Sequence, residues 1–143
     1  MGCDLIVYKP EEGDDGWCGM AYSTFNRLRN VIVKTFIQMK GYELPENNPL
    51  LDAIALNSVS YCDAINEILD KISDENIEGI RTLWNHSDCD GEYFGEDCKD
   101  IGAVIERILP NVTDIEEWDR GMLESMRDMF KHAGEVDGIV VVC

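Results

Sequence analysis

Residues 85–99 read NHSDCDGEYFGEDCK, and the rest of the chain is organised around this polar stretch. Apolar residues at helical spacing run up to it and end at Trp84, and a second such series starts at Ile101. The pattern predicts a loop between two helices. Its acids, its histidine and its two cysteines make this loop the best candidate for a functional site.

The loop has the spacing of a helix-loop-helix calcium site when Gly91 takes the sixth, sharply turning position. The ligand positions are then occupied by His86, Asp88, Asp90, Glu92 and Asp97. Histidine in the first place and the short Asp97 in the last depart from the pattern, so we expect only weak binding of a divalent cation. Of the five, the four acidic residues are the candidate metal ligands. The alternative is that the acids form Asx turns and cap the next helix.

A second polar patch precedes and opens the first predicted helix. Tyr22, Asn26 and Arg27 lie at the helix start, where backbone N–H groups and a guanidinium can together bind an anion. Trp17 ends residues 11–17, EEGDDGW, which are predicted to be a loop. The indole there is either a core plug or a platform for a ligand. The alternative for Arg27 is that it neutralises nearby acids.

The hydrophobic pattern predicts an α+β fold of five or six helices with a small two-stranded β-ribbon that joins the termini. Apolar runs at residues 3–8 and 139–142 predict the two strands. Helices are predicted at about 23–40, 49–56, 60–72, 77–84, 101–109 and 115–133. The last is predicted to end at Gly134, and its apolar series is Ile115, Trp118, Met122, Met126 and Phe130. At 143 residues, the chain is expected to be one globular domain, 1–143.

Charge and composition exclude some function classes. Twelve basic and 29 acidic residues give a net charge of −17, which argues against direct nucleic-acid binding and favours a basic protein partner. No apolar run is long enough to cross a membrane, and the N-terminal residues do not resemble an export signal. We therefore expect a cytoplasmic protein whose six cysteines are reduced thiols.

Three patches of the chain resemble an uncharacterised family of small bacterial and phage proteins. The patches are the opening MGCDL, the series Tyr22, Ser23, Phe25, Leu28 and Arg29, and the motif HSDCDGE with Cys98 after it. A last helix and a short apolar tail are similar to those of the family as well. The resemblance implies a shared architecture. Its phage members suggest a sequestering or counter-defence protein that holds a host signalling nucleotide.

The inventory of reactive residues favours a binding protein over an enzyme. The chain has two histidines, no phosphate-cradling glycine loop and no dinucleotide motif, and a pairing of His86 with Cys89 or Cys98 rests on loop proximity alone. We therefore expect a non-enzymatic protein that binds a small polar or nucleotide-like ligand at residues 86–92, with Trp17, Tyr22, Asn26 and Arg27 in the same site. An acidic interaction module for a basic partner is the first alternative, and a weak divalent-metal domain is the second. No other cofactor is expected.

Overall fold

A computed structural model describes residues 2–9, 13–44, 59–86, 91–113 and 115–142. The elements in chain order are β1 (Gly2–Lys9), β2 (Gly13–Ala21), α1 (Tyr22–Met39), α2 (Val59–Lys71), α3 (Ile77–Asn85), β3 (Glu92–Tyr93), α4 (Gly95–Ile108), a 3-10 turn (Leu109–Asn111), α5 (Glu117–Glu135) and β4 (Ile139–Val142). This mostly helical α+β architecture confirms the predicted fold class. The helix predicted at residues 49–56 lies outside the described residues.

Helix α1 is the centre of the molecule. Between Thr24 and Ile37 only Arg27 and Thr35 are partly exposed, and every other side chain is buried. The helix contacts α3, α4 and α5 as well as β1 and β2. A helix that is enclosed on all sides must satisfy its polar side chains internally, and α1 carries five of the buried polar residues. They are Thr24, Asn26, Arg29, Asn30 and Lys34.

The strands form one antiparallel sheet in the order β2-β1-β4-β3. The predicted pairing of the two terminal strands is confirmed, with Ile6 opposite Val141. The sheet also contains two strands beyond the predicted ribbon. The prediction of a loop at residues 11–17 is wrong from Gly13 onward, because this segment pairs with β1 although it lacks the alternation typical of a strand.

Helices α4 and α5 pack closely because two glycines leave room for the opposite backbone. A Cβ atom on Gly102 would lie 2.8 Å from the backbone nitrogen of Lys131, and one on Gly134 would lie 2.8 Å from the Cα of Lys99. The prediction that the last helix ends at Gly134 is wrong, because α5 continues to Glu135 and the glycine serves the packing of α4. The α4 helix likewise begins at Gly95, six residues earlier than its apolar series indicates.

Candidate functional site

His86 connects the start of the polar loop to residues 92 and 93 by a hydrogen bond and a ring contact. Its imidazole Nε2 donates a hydrogen bond to the backbone oxygen of Glu92 at 2.9 Å, and its ring stacks on Tyr93 with centroids 4.1 Å apart. Gly91 has φ +96°, and a Cβ there would lie 2.9 Å from the His86 ring. The close approach of the ring therefore requires glycine at position 91. The predicted positive φ of Gly91 is confirmed.

The two described ends of the loop are not arranged as they would be in a calcium site. In such a loop the backbone oxygen at the seventh position is a cation ligand, and here that oxygen, on Glu92, accepts the His86 hydrogen bond. Asp97 lies in the first turn of α4. Asp88 and Asp90 lie outside the described residues. Among the residues that are described, no group of three histidine, cysteine or carboxylate side chains is arranged to hold a metal ion.

Asp97 belongs to an acidic corner between α3 and α4. Burial raises the pKa of its carboxyl, a hydrogen bond from Thr82 lowers it, and the charges of Asp100, Glu78 and Glu96 raise it further, with a net rise. Carboxylates this close repel one another, so the corner attracts positive charge.

Arg29, which was not among the predicted site residues, connects Asn26 of the second patch to the start of the polar loop. Its side chain is only 4% exposed. One terminal nitrogen donates to the backbone oxygens of His86 and Leu83, and the other donates to the Asn26 side-chain oxygen. The guanidinium also lies 4.8 Å from the centre of the Phe25 ring. Asn26 and the start of the polar loop are therefore parts of one assembly.

A signal for this role was present in the sequence. Arg29 follows Phe25 by four residues and precedes Phe36 by seven, so it falls on the apolar face of the predicted helix. A cation on a buried face needs acceptors, and the carbonyls that end a neighbouring helix are suitable ones. The predicted site included Arg27 in place of Arg29, and Arg27 lies on another side of the same helix.

Arg27 does not take part in the loop assembly. It forms a bidentate ion pair with Asp119 on α5, with N–O distances of 2.7 and 3.0 Å. Residues two apart on a helix differ by about 200° in direction, so Arg27 is directed away from the side on which Arg29 contacts the loop. This contact is the one expected from the alternative prediction, in which Arg27 neutralises a nearby acid.

Trp17 and Tyr22 have defined backbone positions. Trp17 belongs to β2, opposite Ile6, which in turn is opposite Val141, and Val141 is opposite Glu92. Trp17 and Glu92 thus share one row of the sheet at its two edges, about 14 Å apart at the usual strand spacing. Tyr22 is the first residue of α1. The indole platform and the loop are therefore anchored at opposite edges of the sheet.

Cys98 is not suited to act as a nucleophile. Its side chain is fully buried, and burial raises the pKa of the thiol to about 12. The thiol donates a hydrogen bond to the Tyr93 backbone oxygen at 3.3 Å. Because the thiolate is the reactive form, Cys98 is a packing residue at neutral pH. Cys89, the other cysteine considered for a pairing with His86, lies outside the described residues.

The described surface is strongly asymmetric in charge. Among side chains whose burial the structure describes, the exposed basic residues are Lys71, Lys99 and Arg107. The exposed acidic residues are Glu43, Asp63, Glu67, Asp70, Glu75, Glu78, Glu92, Glu96, Glu106, Glu116, Glu117, Glu124, Asp128, Glu135 and Asp137. The ratio of acidic to basic residues is thus higher on the described surface than in the whole sequence, because several basic side chains are buried or partly buried.

A comparison of the chain with protein-family models, curated proteins and solved structures finds no match. None of the helices in the described ranges is long and apolar enough to cross a membrane. The functional argument therefore rests on the geometry and charge of the chain itself.

Proposed function

We propose that this chain is a non-enzymatic binding protein whose acidic surface engages a basic partner protein. The observation that supports this proposal most is that basic side chains point into the fold while acidic side chains point outward. Arg27 pairs with Asp119, Arg29 is buried against backbone oxygens, and Arg120 donates to backbone oxygens of the 3-10 turn region. With these cations turned inward, most of the exposed carboxylates have no ion pair among the described residues, although Asp70, Glu78, Glu106 and Asp128 each have one. The resulting negative field accelerates encounter with a basic surface.

Binding through exposed charge makes a specific prediction about salt. Pairs between exposed groups are screened at a Debye length of about 8 Å at physiological ionic strength. We expect the dissociation constant for the basic partner to rise steeply with salt. Exchange of exposed carboxylates for amides, as in the double variant Glu116→Gln/Glu117→Gln, should weaken binding, whereas His86→Gln should leave it unchanged.

The second candidate is a small polar or nucleotide-like ligand held at residues 86–92. It is favoured by the link from Asn26 through Arg29 to the backbone of His86, which brings one residue of the second patch next to the start of the loop. Kinship with the bacterial and phage family, and a sequestering role, remain proposals that go with this candidate. Here His86→Gln should abolish binding, and salt should have little effect. A divalent cation at the same loop is the third candidate.

The deciding experiment is native mass spectrometry of protein isolated gently from cells, at low and high salt and with and without a chelator. A basic protein that dissociates at high salt supports the acidic-surface proposal. A small-molecule mass that survives both treatments would overturn it in favour of the loop site. A metal mass lost with chelator, and lost in Asp88→Ala, would favour the cation. A bare chain under all conditions would contradict tight binding of any of the three.

A further inference from the structure

Trp118 is an exposed aromatic residue at the beginning of α5. Its side chain is 58% exposed, although the apolar series of the helix predicts it to be part of the buried stripe. Other members of that series, Met126 and Phe130, are fully buried. A single exposed apolar side chain is common on protein surfaces. Trp118 is distinguished from such cases by the residues beside it on the helix surface.

Gly121 lies one turn after Trp118 on the same side of the helix. A Cβ atom at this position would have no heavy atom of the described residues within 4 Å, so no packing contact in the described part of the chain explains the glycine. Glycine is less favourable than alanine inside a helix, because its backbone loses more freedom on folding. A surface glycine of this kind allows another backbone to approach the helix closely.

Two further residues complete what we call the Trp118 face, which consists of Trp118, Gly121, Met122 and Ser125. Met122 is partly buried and Ser125 is exposed. The positions 118, 122 and 125 are separated by four and three residues, the spacing at which a helix presents a seam to a partner helix. Glu117 and Glu124 are both exposed and lie seven residues apart, so they form an acidic flank along this seam.

We infer that the Trp118 face docks a basic amphipathic helix of a partner protein. This inference rests on the proposed function and assigns it a location. Trp118 supplies a large apolar anchor, Gly121 permits close approach, and the flanking carboxylates select for lysine or arginine. A second copy of this chain is a poor occupant, because it would bring together the same acidic flanks and two charges of −17.

The test uses two fluorescent helical peptides, one built of leucine and lysine and the other with glutamate in place of each lysine. Fluorescence anisotropy measures their binding to the full chain at low and high salt. We expect only the lysine peptide to bind. Trp118→Ala should weaken this binding roughly tenfold or more, since an aromatic anchor carries much of an interface's energy. Phe94→Ala removes another aromatic residue, 61% exposed, and should leave binding unchanged.

Gly121→Gln separates docking from folding. Glutamine forms helix better than glycine and has open space here, so we expect the melting temperature to rise by about 2 to 4 °C. Binding of the lysine peptide should nevertheless fall, because the side chain blocks close approach. If the peptide binds all variants equally well, the Trp118 face is not the docking site, although the proposed function stands. If the lysine peptide binds no better than the glutamate peptide, the proposed function itself fails.

Discussion

The two ends of α3 are held to α1 and the residue after it by different means. From the middle of α1, Arg29 donates to the backbone oxygens of Leu83, in the last turn of α3, and of His86, which follows it. Just after the end of α1, Lys40 contacts Asp74 at 2.5 Å, and Asp74 also accepts from Arg107 on α4 at 3.2 Å. The Asp74 carboxylate precedes α3, and its side chain is only 6% exposed.

The difference between the ends is the kind of acceptor. Arg29 meets neutral carbonyl and amide oxygens, which do not gain protons in the range where proteins fold. Lys40 meets a carboxylate, which loses its charge in acid. One end should therefore hold α3 at any pH, and the other should release it in acid. This contrast also bears on the candidate site, since the polar loop begins where the Arg29 contact ends.

Replacement of Arg29 should have the largest effect on stability. Arg29→Met keeps much of the apolar stem but removes the hydrogen bonds that Arg29 donates to the Leu83 and His86 backbone oxygens and to the Asn26 side-chain oxygen. We expect the free energy of unfolding to fall by about 2 to 4 kcal/mol, as for other buried hydrogen-bond networks. Urea denaturation at neutral pH measures the change.

The matched control is Arg127→Met. Arg127 contacts the exposed Asp128, and such a pair contributes little, so we expect a change of less than about 0.5 kcal/mol. A loss at Arg29 no larger than the loss at Arg127 would mean that the contact with the end of α3 is not what stabilises this region.

Asp74 should give the next largest effect, and it should depend on pH. Burial alone would raise the pKa of its carboxyl, but hydrogen bonds from Arg107, Lys40 and the Asn76 backbone, and the charge of Arg107, lower the pKa from 3.8 to about 2. A carboxyl with a lowered pKa in the folded state stabilises the fold above its unfolded pKa. It loses that contribution as the pH falls from about 4 towards 2.

We therefore expect Asp74→Asn to lower the free energy of unfolding by about 2 kcal/mol at pH 6, with a deficit that shrinks towards pH 2. Unfolding curves at a series of pH values measure it. Asp70→Asn is the control, since Asp70 is 70% exposed and should matter by less than about 0.5 kcal/mol. A deficit at Asp74 that stays constant down to pH 2 would count against the ion pair as its cause.

The helices were predictable because their apolar spacing survives in the fold. Of the stripe predicted for α1, Phe25, Leu28, Ile32 and Phe36 are buried, whereas its last member, Met39, is 43% exposed. The polar residues were harder to place, because their partners come from distant segments. Arg29 and Asp74 find theirs more than 30 residues away in sequence. Local spacing shows that Arg29 falls on the apolar face of its helix, but it does not identify these distant partners.

The strands and the site show the same limit. β2 forms from a glycine-rich and acidic segment because β1 is available to pair with it, and pairing can override a weak local preference. The sequence placed the candidate site in the polar loop, whereas helix α1 is the centre of the fold; the positive φ of Gly91 was predicted. The hydrogen bond from His86 to Glu92 depends on folding, and so does the separation of Arg27 from this loop.

Lys34, between the two ends of α1, should show the smallest effect and the opposite sign. It is 5% exposed, no described residue accepts a hydrogen bond from its ammonium, and burial lowers its pKa from 10.5 to about 8. The buried ammonium charge therefore opposes folding at neutral pH. Between pH 8 and 10.5 the folded state loses this proton while the unfolded state keeps it, so the free energy of unfolding of the wild type should rise over that range. We expect Lys34→Met to raise the free energy of unfolding by about 1 kcal/mol at pH 7 and to lose this advantage near pH 10.5. Lys71→Met, at an exposed position, should do neither. A loss of stability in Lys34→Met would instead indicate that the ammonium has a functional or structural partner.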